Sequence, residues 1–367
     1  MARSKRINTW LKPWLTTPIT QLITVAGDAS FRSYYRITAP QSTTGRSLIL
    51  MDAPPNKENS HSFISLAKAW HQQGIKVPQV LAYDLTLGVA LLEDFGDTQL
   101  MQCIQTHPTQ TDAIYRQALK QLMAIQQLPS NLSCEHPLPH YSAALLAQEL
   151  ALFDDWFVTG LLKIAPETLP TSWPKFKQQL IASALEQPQV SVHRDYHSRN
   201  LMVLDTDTLT ANPLGIIDFQ DAVYGPCTYD AVSLIRDCYI DWPVATQQAW
   251  LAYFYQLYCQ EAAASNSEAS NSKTPVSLKE FQRWFDWMGM QRHIKVAGIF
   301  ARLWLRDNKA GYLQDIPLTL QHLLSTIKAY PELNAIQHWL TDVIIPAFNV
   351  FLQAHYLQQQ GKENSDD

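Results

Sequence analysis

The segment that follows residue 192 concentrates polar residues whose types and spacing suit the transfer of a charged group. It reads His193-Arg-Asp195-Tyr-His-Ser-Arg-Asn200. A carboxylate at Asp195 can accept the proton of an attacking hydroxyl while it orients the oxygen toward the atom under attack. The carboxamide oxygen of Asn200 is a hard ligand of the kind that Mg²⁺ prefers. The segment therefore predicts a catalytic base beside a magnesium ligand.

A second acidic residue comes 18 positions after Asn200, at the end of an apolar run. The run reads Gly215-Ile-Ile-Asp218-Phe-Gln220. A short strand here would place Asp218 beside the loop, where it would bridge nucleotide phosphates through Mg²⁺. The pattern H-R-D-x-x-x-x-N followed by a strand-borne Asp is typical of kinase catalytic loops. We therefore predict an ATP- and Mg²⁺-dependent phosphotransferase.

Two features of this segment bear on which kind of enzyme it serves. Gln220 stands where the protein-kinase pattern has glycine, which favours a small-molecule kinase over a protein kinase with a flipping loop. A metal hydrolase is the rival interpretation, because His193, Asp195 and His197 alternate like metal ligands. That interpretation leaves the rest of the pattern unexplained. We expect His193 to brace the loop, and His197 to serve either structure or substrate contact.

Composition argues against several classes of protein. Hydrophobic residues make up 46% and charged residues 17%, and the formal net charge of −5 disfavours a nucleic acid as the main partner. The 5 cysteines are scattered without a C-x-x-C pair, which disfavours a disulfide framework or a structural zinc site. The basic N-terminus is interrupted by Lys12 and Pro13, and no continuous apolar run approaches about 18 residues. We therefore expect a cytoplasmic protein with no membrane partner.

Strand patterns come first along the chain and helical patterns follow. Strands are predicted at 20–38 around a turn, and at 47–53, 79–83 and 88–93, with a helix at 60–73. Later helices are predicted at 110–128, 142–163, 173–186, 228–241, 245–262, 278–306, 317–329 and 333–355. Apolar runs at 189–193 and 214–219 predict a small hairpin among these helices. The order predicts an α+β, protein-kinase-like fold with two lobes, a small β-rich one at 1–95 and a larger helical one at 96–367.

Two segments are predicted to lie outside the regular elements. Residues 261–277 are rich in Ser, Asn and Ala and predict a surface loop. The last ten residues, QQQGKENSDD, are expected to fray.

The turn between the first two strands is where a loop covering the nucleotide phosphates is expected. It has the sequence GDASFR at 27–32, and Ser30 and Arg32 are the predicted ATP contacts. The third strand has Met51 near the position where kinases carry a lysine for the phosphates. Arg32 is a candidate for the missing positive charge; its alternative role is a solvated cation at the end of a strand.

The stretch LLEDFG at 91–96 leaves the last strand of the first lobe. A hinge at this point would offer backbone groups of Glu93 and Phe95 to adenine. The side chains of Glu93 and Asp94 are expected to be solvated loop charges.

Several stretches resemble the aminoglycoside phosphotransferase and choline kinase superfamily. They are GDASFRSYYR, LILMDAPP, LLEDFGD, HRDYHSRNLMVL, IIDFQDAVYGPCTYDAVSLIRDCYI and QRHIKVAGIFARL. Within the superfamily, the chain is similar over about residues 20–350 to a bacterial branch of anomeric amino-sugar kinases in cell-wall recycling. The resemblance implies phosphorylation of the C1 hydroxyl of N-acetylmuramate or N-acetylglucosamine. It also implies a sugar-1-phosphate nucleotidyltransferase as the pathway partner.

The acceptor site is predicted from cations in the helical region. The helix at 291–306 carries Arg292, Lys295, Arg302 and Arg306 near one face. This face is solvated, or forms salt bridges with acidic residues of the other lobe, or contacts a phosphate or a lactyl carboxylate. Arg292 and Arg236 are the predicted substrate contacts, while Asp230 is expected to cap its helix and brace the catalytic loop. The run 284–287 is expected to pack in the core rather than stack on a sugar.

Two other functions compete with an amino-sugar kinase. One is a kinase for another small alcohol, such as an aminoglycoside or choline, although cationic acceptors call for an acidic pocket. The other is a pseudokinase that binds a nucleotide without turning it over, which Met51 alone supports.

Overall fold

The computed structural model describes residues 3–15, 22–27, 31–37, 47–133, 136–205, 209, 213–266 and 276–363, without the side chains of 26–27, 265–266 and 358–363. The architecture is α+β, as predicted, with a small antiparallel sheet followed by a mainly helical region. The chain divides into two compact units. The first unit comprises Met1–Pro139 and His193–Ala222, and the second comprises His140–Val192 and Val223–Asp367. The predicted lobe boundary at residue 95 stays a prediction.

The first unit is built on a five-stranded sheet of antiparallel pairs in the order β1-β2-β3-β5-β4. Its strands are β1 (Ile23–Gly27), β2 (Ser33–Ile37), β3 (Leu48–Asp52), β4 (Val80–Asp84) and β5 (Val89–Glu93). The predicted strands of the first lobe are therefore confirmed. The central strands β3 and β5 are buried along most of their length, which explains their nearly continuous apolar sequences.

An N-terminal helix covers part of this sheet. Helix α1 (Arg3–Leu11) packs Ile7 and Leu11 against a cluster that includes Leu50 and Leu91. Arg3 forms an ion pair with Asp52 at the end of β3. Helix α1 was not predicted, although Ile7 and Leu11 stand at helical spacing.

The remaining elements of the first unit follow the sheet. They are α2 (His61–Gln72), α3 (Leu100–Thr106), α4 (Thr111–Gln126), β7 (Leu201–Met202) and β8 (Gly215–Ile216). Strand β7 pairs with β8, whereas β6 (Gln189–Val192) pairs with β9 (Val223–Pro226) in the second unit. The predicted hairpin between 189–193 and 214–219 is therefore wrong. Apolar runs indicate strands, but they do not specify which strands pair.

The second unit is a cluster of helices. It contains α5 (Ala143–Leu152) with its π-helical continuation Phe153–Leu161, α6 (Trp173–Glu186), α7 (Tyr229–Ile235), α8 (Val244–Asn266), α9 (Leu278–Asp307), α10 (Ile316–Ile327), α11 (Asn334–Trp339), the π-helical Leu340–Ile344 and α12 (Ile345–Glu363). These helices bury one apolar cluster, to which α9 contributes side chains along most of its length.

Particular residues specify where helix α9 begins and ends and how closely it packs on a neighbouring helix. Ser277 and Glu280 form a capping box at its start, and Asn308 ends it in the left-handed conformation, with φ 55°. Gly298 lets the helix approach the backbone at Leu152 closely, since a Cβ there would lie 2.4 Å from a carbonyl carbon. A side chain at this position would therefore force the two helices apart.

Three predicted boundaries are wrong. Helix α7 ends at Ile235 rather than near 241, because the Asp237 carboxylate accepts a hydrogen bond from the Tyr239 N–H and forms a local turn. Helix α8 continues to Asn266, inside the segment predicted as a loop, and 267–275 lie outside the described residues. Helix α12 continues to Glu363, so the chain is helical beyond the point where fraying was predicted.

One stretch within the described ranges, Pro331–Leu357, is long and apolar enough to cross a membrane by length and composition alone. Some of its side chains, including Ile336, Leu340 and Ile344, belong to the core of the second unit. Core helices commonly meet the same criterion, so the stretch is weak support for a membrane span.

Candidate active site

The loop after β6 folds back on itself around Asp195. Arg194 adopts a left-handed conformation, with φ 76°, which turns the chain sharply before the half-buried Asp195. The carbonyl of Asp195 accepts hydrogen bonds from the His197 N–H at 3.0 Å and from the Asn200 side-chain amide at 3.0 Å. The backbone of Asp195 is thus fixed by residues of its own loop.

His193 braces this loop from inside the first unit, as predicted. Its Nε2 lies 3.0 Å from the carbonyl of Ile217, and its Nδ1 accepts the Asp195 N–H at 3.2 Å. Complete burial lowers the pKa of His193 to about 4, so the ring is neutral at physiological pH. Because both ring nitrogens are engaged with the backbone, His193 has no lone pair for a metal. This contradicts the metal-hydrolase interpretation.

Asp218 and Asn200 lie side by side at the end of β8. Asp218 has a left-handed backbone, with φ 65°, and its Oδ2 lies 3.5 Å from Nδ2 of Asn200. The Ile217 N–H donates to the carbonyl of Asn200 at 3.1 Å, which fixes the strand end to the loop. The structure therefore brings together the two predicted metal ligands.

The donor set of these two residues fits a magnesium ion. The amide nitrogen of Asn200 is used by the loop carbonyl, and its oxygen has no hydrogen-bond partner in the described part of the chain. A carboxylate and a carboxamide oxygen are hard ligands, and Mg²⁺ commonly takes its remaining ligands from water and phosphates. No group of three or more His, Cys, Asp or Glu side chains among the described residues is arranged for another kind of metal site.

A column of aromatic rings supports the Asp218 segment. Phe219 is fully buried and stacks on Phe63 of α2, with ring centroids 5.1 Å apart. It also lies 5.7 Å from Trp70 of α2, which in turn lies 6.3 Å from His193. Helix α2 thus contacts both the loop and the metal-ligand segment, and it holds them in one arrangement.

His197 is buried within the same loop. Its Nε2 lies 3.4 Å from Nδ2 of Asn200. The next residue, Ser198, accepts the Met101 N–H of α3 through its carbonyl at 3.1 Å. These contacts fix the loop, and substrate contact by His197 stays a prediction.

Arg32 is not a solvated strand-end cation, since only 6% of it is exposed. Its Nη2 lies 3.5 Å from the carboxylate of Glu58, and its guanidinium lies 5.8 Å from the centre of the Phe63 ring. Glu58 also accepts the Phe31 N–H at 3.1 Å, so it ties together both residues at the end of the predicted phosphate loop. Ser30 lies outside the described residues.

The side chain of Asp94 is buried, which corrects the expectation that it is solvated, whereas the side chain of Glu93 is paired but about 25% exposed. Glu93 pairs with Lys76 at 2.7 Å. The carboxylate of Asp94 is only 4% exposed and pairs with Arg36 at 2.6 Å. Burial opposes the ionisation of Asp94, but hydrogen bonds from Arg36, Ser47 and the Gly96 N–H outweigh it and hold its pKa below the usual value. These partners fix the chain where it leaves β5.

Phe95 follows Asp94 and packs on β8, the strand that precedes the predicted metal ligand Asp218. A Cβ on Gly215 would lie 2.5 Å from the Phe95 ring, so glycine is needed for the ring to lie there. The Lys76 ammonium lies 5.1 Å from the ring centre. The Phe95 N–H has no hydrogen-bond partner in the described ranges, as a group that receives adenine requires.

The predicted acceptor cations lie within the second unit, where their hydrogen bonds are directed to protein groups. Arg236 donates to Asp286 at 2.6 Å, to Thr326 at 3.2 Å and to Gln247 at 3.2 Å. Arg292 is 3% exposed, and its Nη1 lies 3.3 Å from Sγ of Cys238. Substrate contact by Arg236 and Arg292 stays a prediction.

The rest of the predicted cationic face is divided between core and surface. Lys295 is 5% exposed and forms an ion pair with the buried Glu149 at 3.2 Å, whereas Arg306 is exposed and pairs with its half-buried neighbour Asp307. The face is therefore not a continuous solvated stripe. Trp287 packs in the core, as predicted for this run. Asp230 is buried in the first turn of α7, whose N-cap is Thr228, so the predicted capping role is wrong.

Two polar residues near the site were not assigned a role from sequence. Glu58 carries no recognisable pattern, because its partners lie 26 and 27 positions away. Gln220 did carry a signal, since it departs from the kinase pattern, and its side chain donates to Oδ1 of Asp218 at 2.6 Å.

Comparison with known proteins identifies a family that spans most of the chain. The model of the phosphotransferase enzyme family matches residues 21–267. The N-acetylmuramate/N-acetylglucosamine kinase of Pseudomonas aeruginosa is 37% identical over 93% of this chain and 97% of its own length. The protein of the same name from Neisseria meningitidis is 35% identical over 94% of this chain and 97% of its own length.

Solved structures support the fold. Plasmodium vivax ethanolamine kinase superposes with a TM-score of 0.59 at 11% identity, over 88% of this chain and 94% of its own. The GDP complex of an aminoglycoside 2′-phosphotransferase superposes with a TM-score of 0.56 at 14% identity, over 89% of this chain and 98% of its own. At these identities the likeness concerns the fold alone, and it confirms the predicted protein-kinase-like fold.

Proposed function

This chain belongs to the phosphotransferase enzyme family, and on that premise we propose that it transfers the γ-phosphoryl group of ATP to the anomeric hydroxyl of an amino sugar. The observation that carries the proposal is the juxtaposition of Asn200 and Asp218 beside the loop that presents Asp195. One residue is placed as a base and two as oxygen ligands, which is the minimal set for phosphoryl transfer.

Asp195 serves as the group that orients the acceptor hydroxyl and receives its proton. Phosphoryl transfer passes through a loose transition state, so the base mainly positions the oxygen and takes the proton late. The backbone of Asp195 is held by His193, His197 and Asn200, which limits the freedom of the carboxylate to leave this position.

Asn200 and Asp218 would hold Mg²⁺. When bound, the ion neutralises charge on the nucleotide phosphates. The protein fixes both side chains beforehand, Asn200 through its amide nitrogen and Asp218 through Gln220. The ligand oxygens therefore need little reorganisation on binding.

Arg32 takes the role of the lysine that β3 lacks. Met51 is fully buried in the sheet and has no charge to offer. Arg32 is held by Glu58, and it lies against Phe63, whose ring stacks on Phe219 next to Asp218. These contacts link the Arg32 guanidinium to the segment that carries Asp218, which supports a role for it in phosphate binding. Ser30, in the loop before Arg32, is proposed as a second contact of the nucleotide phosphates.

The adenine ring is proposed to bind along the chain that leaves β5, through backbone groups of Glu93 and Phe95. The Asp94 carboxylate holds this segment through Arg36 and Ser47, so the backbone is fixed before the nucleotide arrives. The side chains of Glu93 and Asp94 then hold the backbone in place, and they do not themselves recognise the adenine.

The acceptor is proposed to be N-acetylmuramate or N-acetylglucosamine, with His197, Arg236 and Arg292 as its candidate contacts. Two relatives whose names give these sugars share 35% and 37% identity with nearly the whole chain. The product would be a sugar 1-phosphate, which a nucleotidyltransferase consumes. We place the reaction in the cytoplasm, where ATP is available, with no nucleic acid or membrane as a partner.

The proposal is tested by ADP formation. Purified protein is incubated with ATP, Mg²⁺ and a panel of amino sugars, aminoglycosides and choline. We expect ADP with N-acetylmuramate and N-acetylglucosamine, and none above background with the cationic acceptors. Nucleotide binding without turnover on any acceptor would instead support a pseudokinase, the interpretation that Met51 favours.

A further inference from the structure

Gln220 is the residue where this chain departs from the glycine of the protein-kinase pattern, and its side chain faces the metal-ligand carboxylate. Its Nε2 lies 2.6 Å from Oδ1 of Asp218. The amide orientation follows from this contact, because the opposite orientation would set two oxygens against each other. Gln220 therefore donates a charge-assisted hydrogen bond to Asp218.

The other half of the same amide is unsatisfied. Oε1 of Gln220 is buried and has no hydrogen-bond partner among the described residues. Burying a polar atom without a partner costs free energy of folding. The Gln220 side chain thus lowers the free energy of unfolding through its unpaired oxygen. Among the described residues, its polar contact is with Asp218.

The two oxygens of the Asp218 carboxylate have different neighbours. Oδ1 is taken by Gln220, and Oδ2 is turned toward Asn200, with 3.5 Å between Oδ2 and Nδ2. The left-handed backbone of Asp218 and the buried ring of Phe219 fix the start of the side chain, and Gln220 fixes its end.

From these contacts we infer that Gln220 is a positioning residue that locks Asp218 in its metal-binding rotamer. The inference rests on the proposed function of Asp218 and assigns a further residue to it. A glycine at this position leaves the segment free to turn, whereas the glutamine keeps the ligand permanently arranged. The site is then ready for metal and nucleotide without a separate activating step.

Gln121 provides a matched control, because it is a glutamine of the same unit with both halves of its amide satisfied. Its Nε2 donates to the Leu214 carbonyl at 2.6 Å, and its Oε1 accepts the Leu214 N–H at 3.1 Å. Methionine is close in shape to glutamine and removes the amide at either position. The two variants therefore separate a positioning role from a structural one.

The test measures Mn²⁺ binding by calorimetry in the presence of a non-hydrolysable ATP analogue, together with thermal unfolding. We expect Gln220→Met to weaken Mn²⁺ binding about tenfold, the lower end of the effect of removing an outer-shell partner. Its melting temperature should be unchanged or raised. Gln121→Met should show the reverse, with a lower melting temperature and unchanged Mn²⁺ affinity.

Two results would overturn the inference. One is unchanged Mn²⁺ affinity in Gln220→Met; the other is a loss of stability in that variant as large as in Gln121→Met, including failure to fold. If the wild-type protein itself binds no Mn²⁺ with the nucleotide analogue, then the proposed function fails, and not merely the role of Gln220.

Discussion

The loop around Asp195 in the first unit and the cation-bearing helices of the second unit use their polar side chains differently. In the loop, backbone groups and the Asn200 amide nitrogen hold the chain, while the carboxamide oxygen of Asn200 has no hydrogen-bond partner within the described residues. In the helices, Arg236 and Lys295 direct their donors to Asp286 and Glu149 inside the protein.

The difference shows that residue type alone does not identify a binding site. A better indication is a polar side chain whose hydrogen-bonding groups are not all used within the protein. Both regions contain charged residues at suggestive spacing, and residues of both were predicted from the sequence as ligand contacts. Removing a buried cation leaves its carboxylate partner buried without a counter-charge, and this strongly lowers the free energy of unfolding. A side chain that keeps an oxygen for a ligand should matter for turnover and little for stability.

The largest effect is expected at the metal ligand. Asp218→Ala should remove measurable turnover, because it deletes the proposed carboxylate ligand of Mg²⁺. Thermal unfolding should change little. Asp221→Ala, three residues along and exposed, is the matched control and should retain activity. Full activity of Asp218→Ala in excess chelator would contradict the metal role.

The comparison is sharpened by removing a buried cation from the second unit. Lys295→Met should cost about 3–5 kcal/mol of unfolding free energy, since it leaves Glu149 buried without its charge partner. Arg306→Met on the same helix, where the cation itself is exposed, should lower the free energy of unfolding far less. Denaturant unfolding measures both. Equal stability of the two variants would break the distinction between core and surface cations.

The base should show the reverse pattern. Asp195→Asn should lower turnover by at least about a hundredfold, the usual scale for the loss of a positioned base. Its unfolding free energy and its affinity for ATP should stay close to those of the wild-type protein. Turnover, calorimetric binding and denaturant unfolding give the three values. Near-normal turnover would remove Asp195 from the mechanism.

A smaller effect is expected at the substitute for the lysine. Arg32→Ala should raise the KM for ATP or lower turnover by about tenfold, the scale of about 1.4 kcal/mol for one charged hydrogen bond. Met51→Ala should act through packing instead, with lower stability and nearly unchanged KM. Steady-state kinetics at varied ATP separates the two. Unchanged ATP kinetics in Arg32→Ala would leave the missing charge unassigned.

Much of the catalytic segment could be predicted from sequence because its geometry is local. His193, Asp195 and Asn200 share one short loop, so their spacing already fixes how they can meet. The position of Asp218 followed from the apolar run before it. Such local patterns depend on turns and strand ends that neighbouring residues specify.

The remaining contacts depend on pairings that are distant in sequence, and the pattern could not reveal them. Asp94 was expected to be solvated, yet its partners Arg36 and Ser47 lie 58 and 47 positions away. The strands at 189–193 and 214–219 were expected to pair with each other, but each has another partner. In both cases tertiary structure decided between states that the local sequence left equally open.

The central claim is tested most directly by the position of the phosphate in the product. The protein is incubated with ATP, Mg²⁺ and N-acetylglucosamine or N-acetylmuramate, and the product is examined by phosphorus-coupled NMR. We predict coupling between phosphorus and the anomeric C1 position for both sugars. Phosphate on C6, or turnover with aminoglycosides or choline alone, would contradict the assignment of an anomeric sugar kinase.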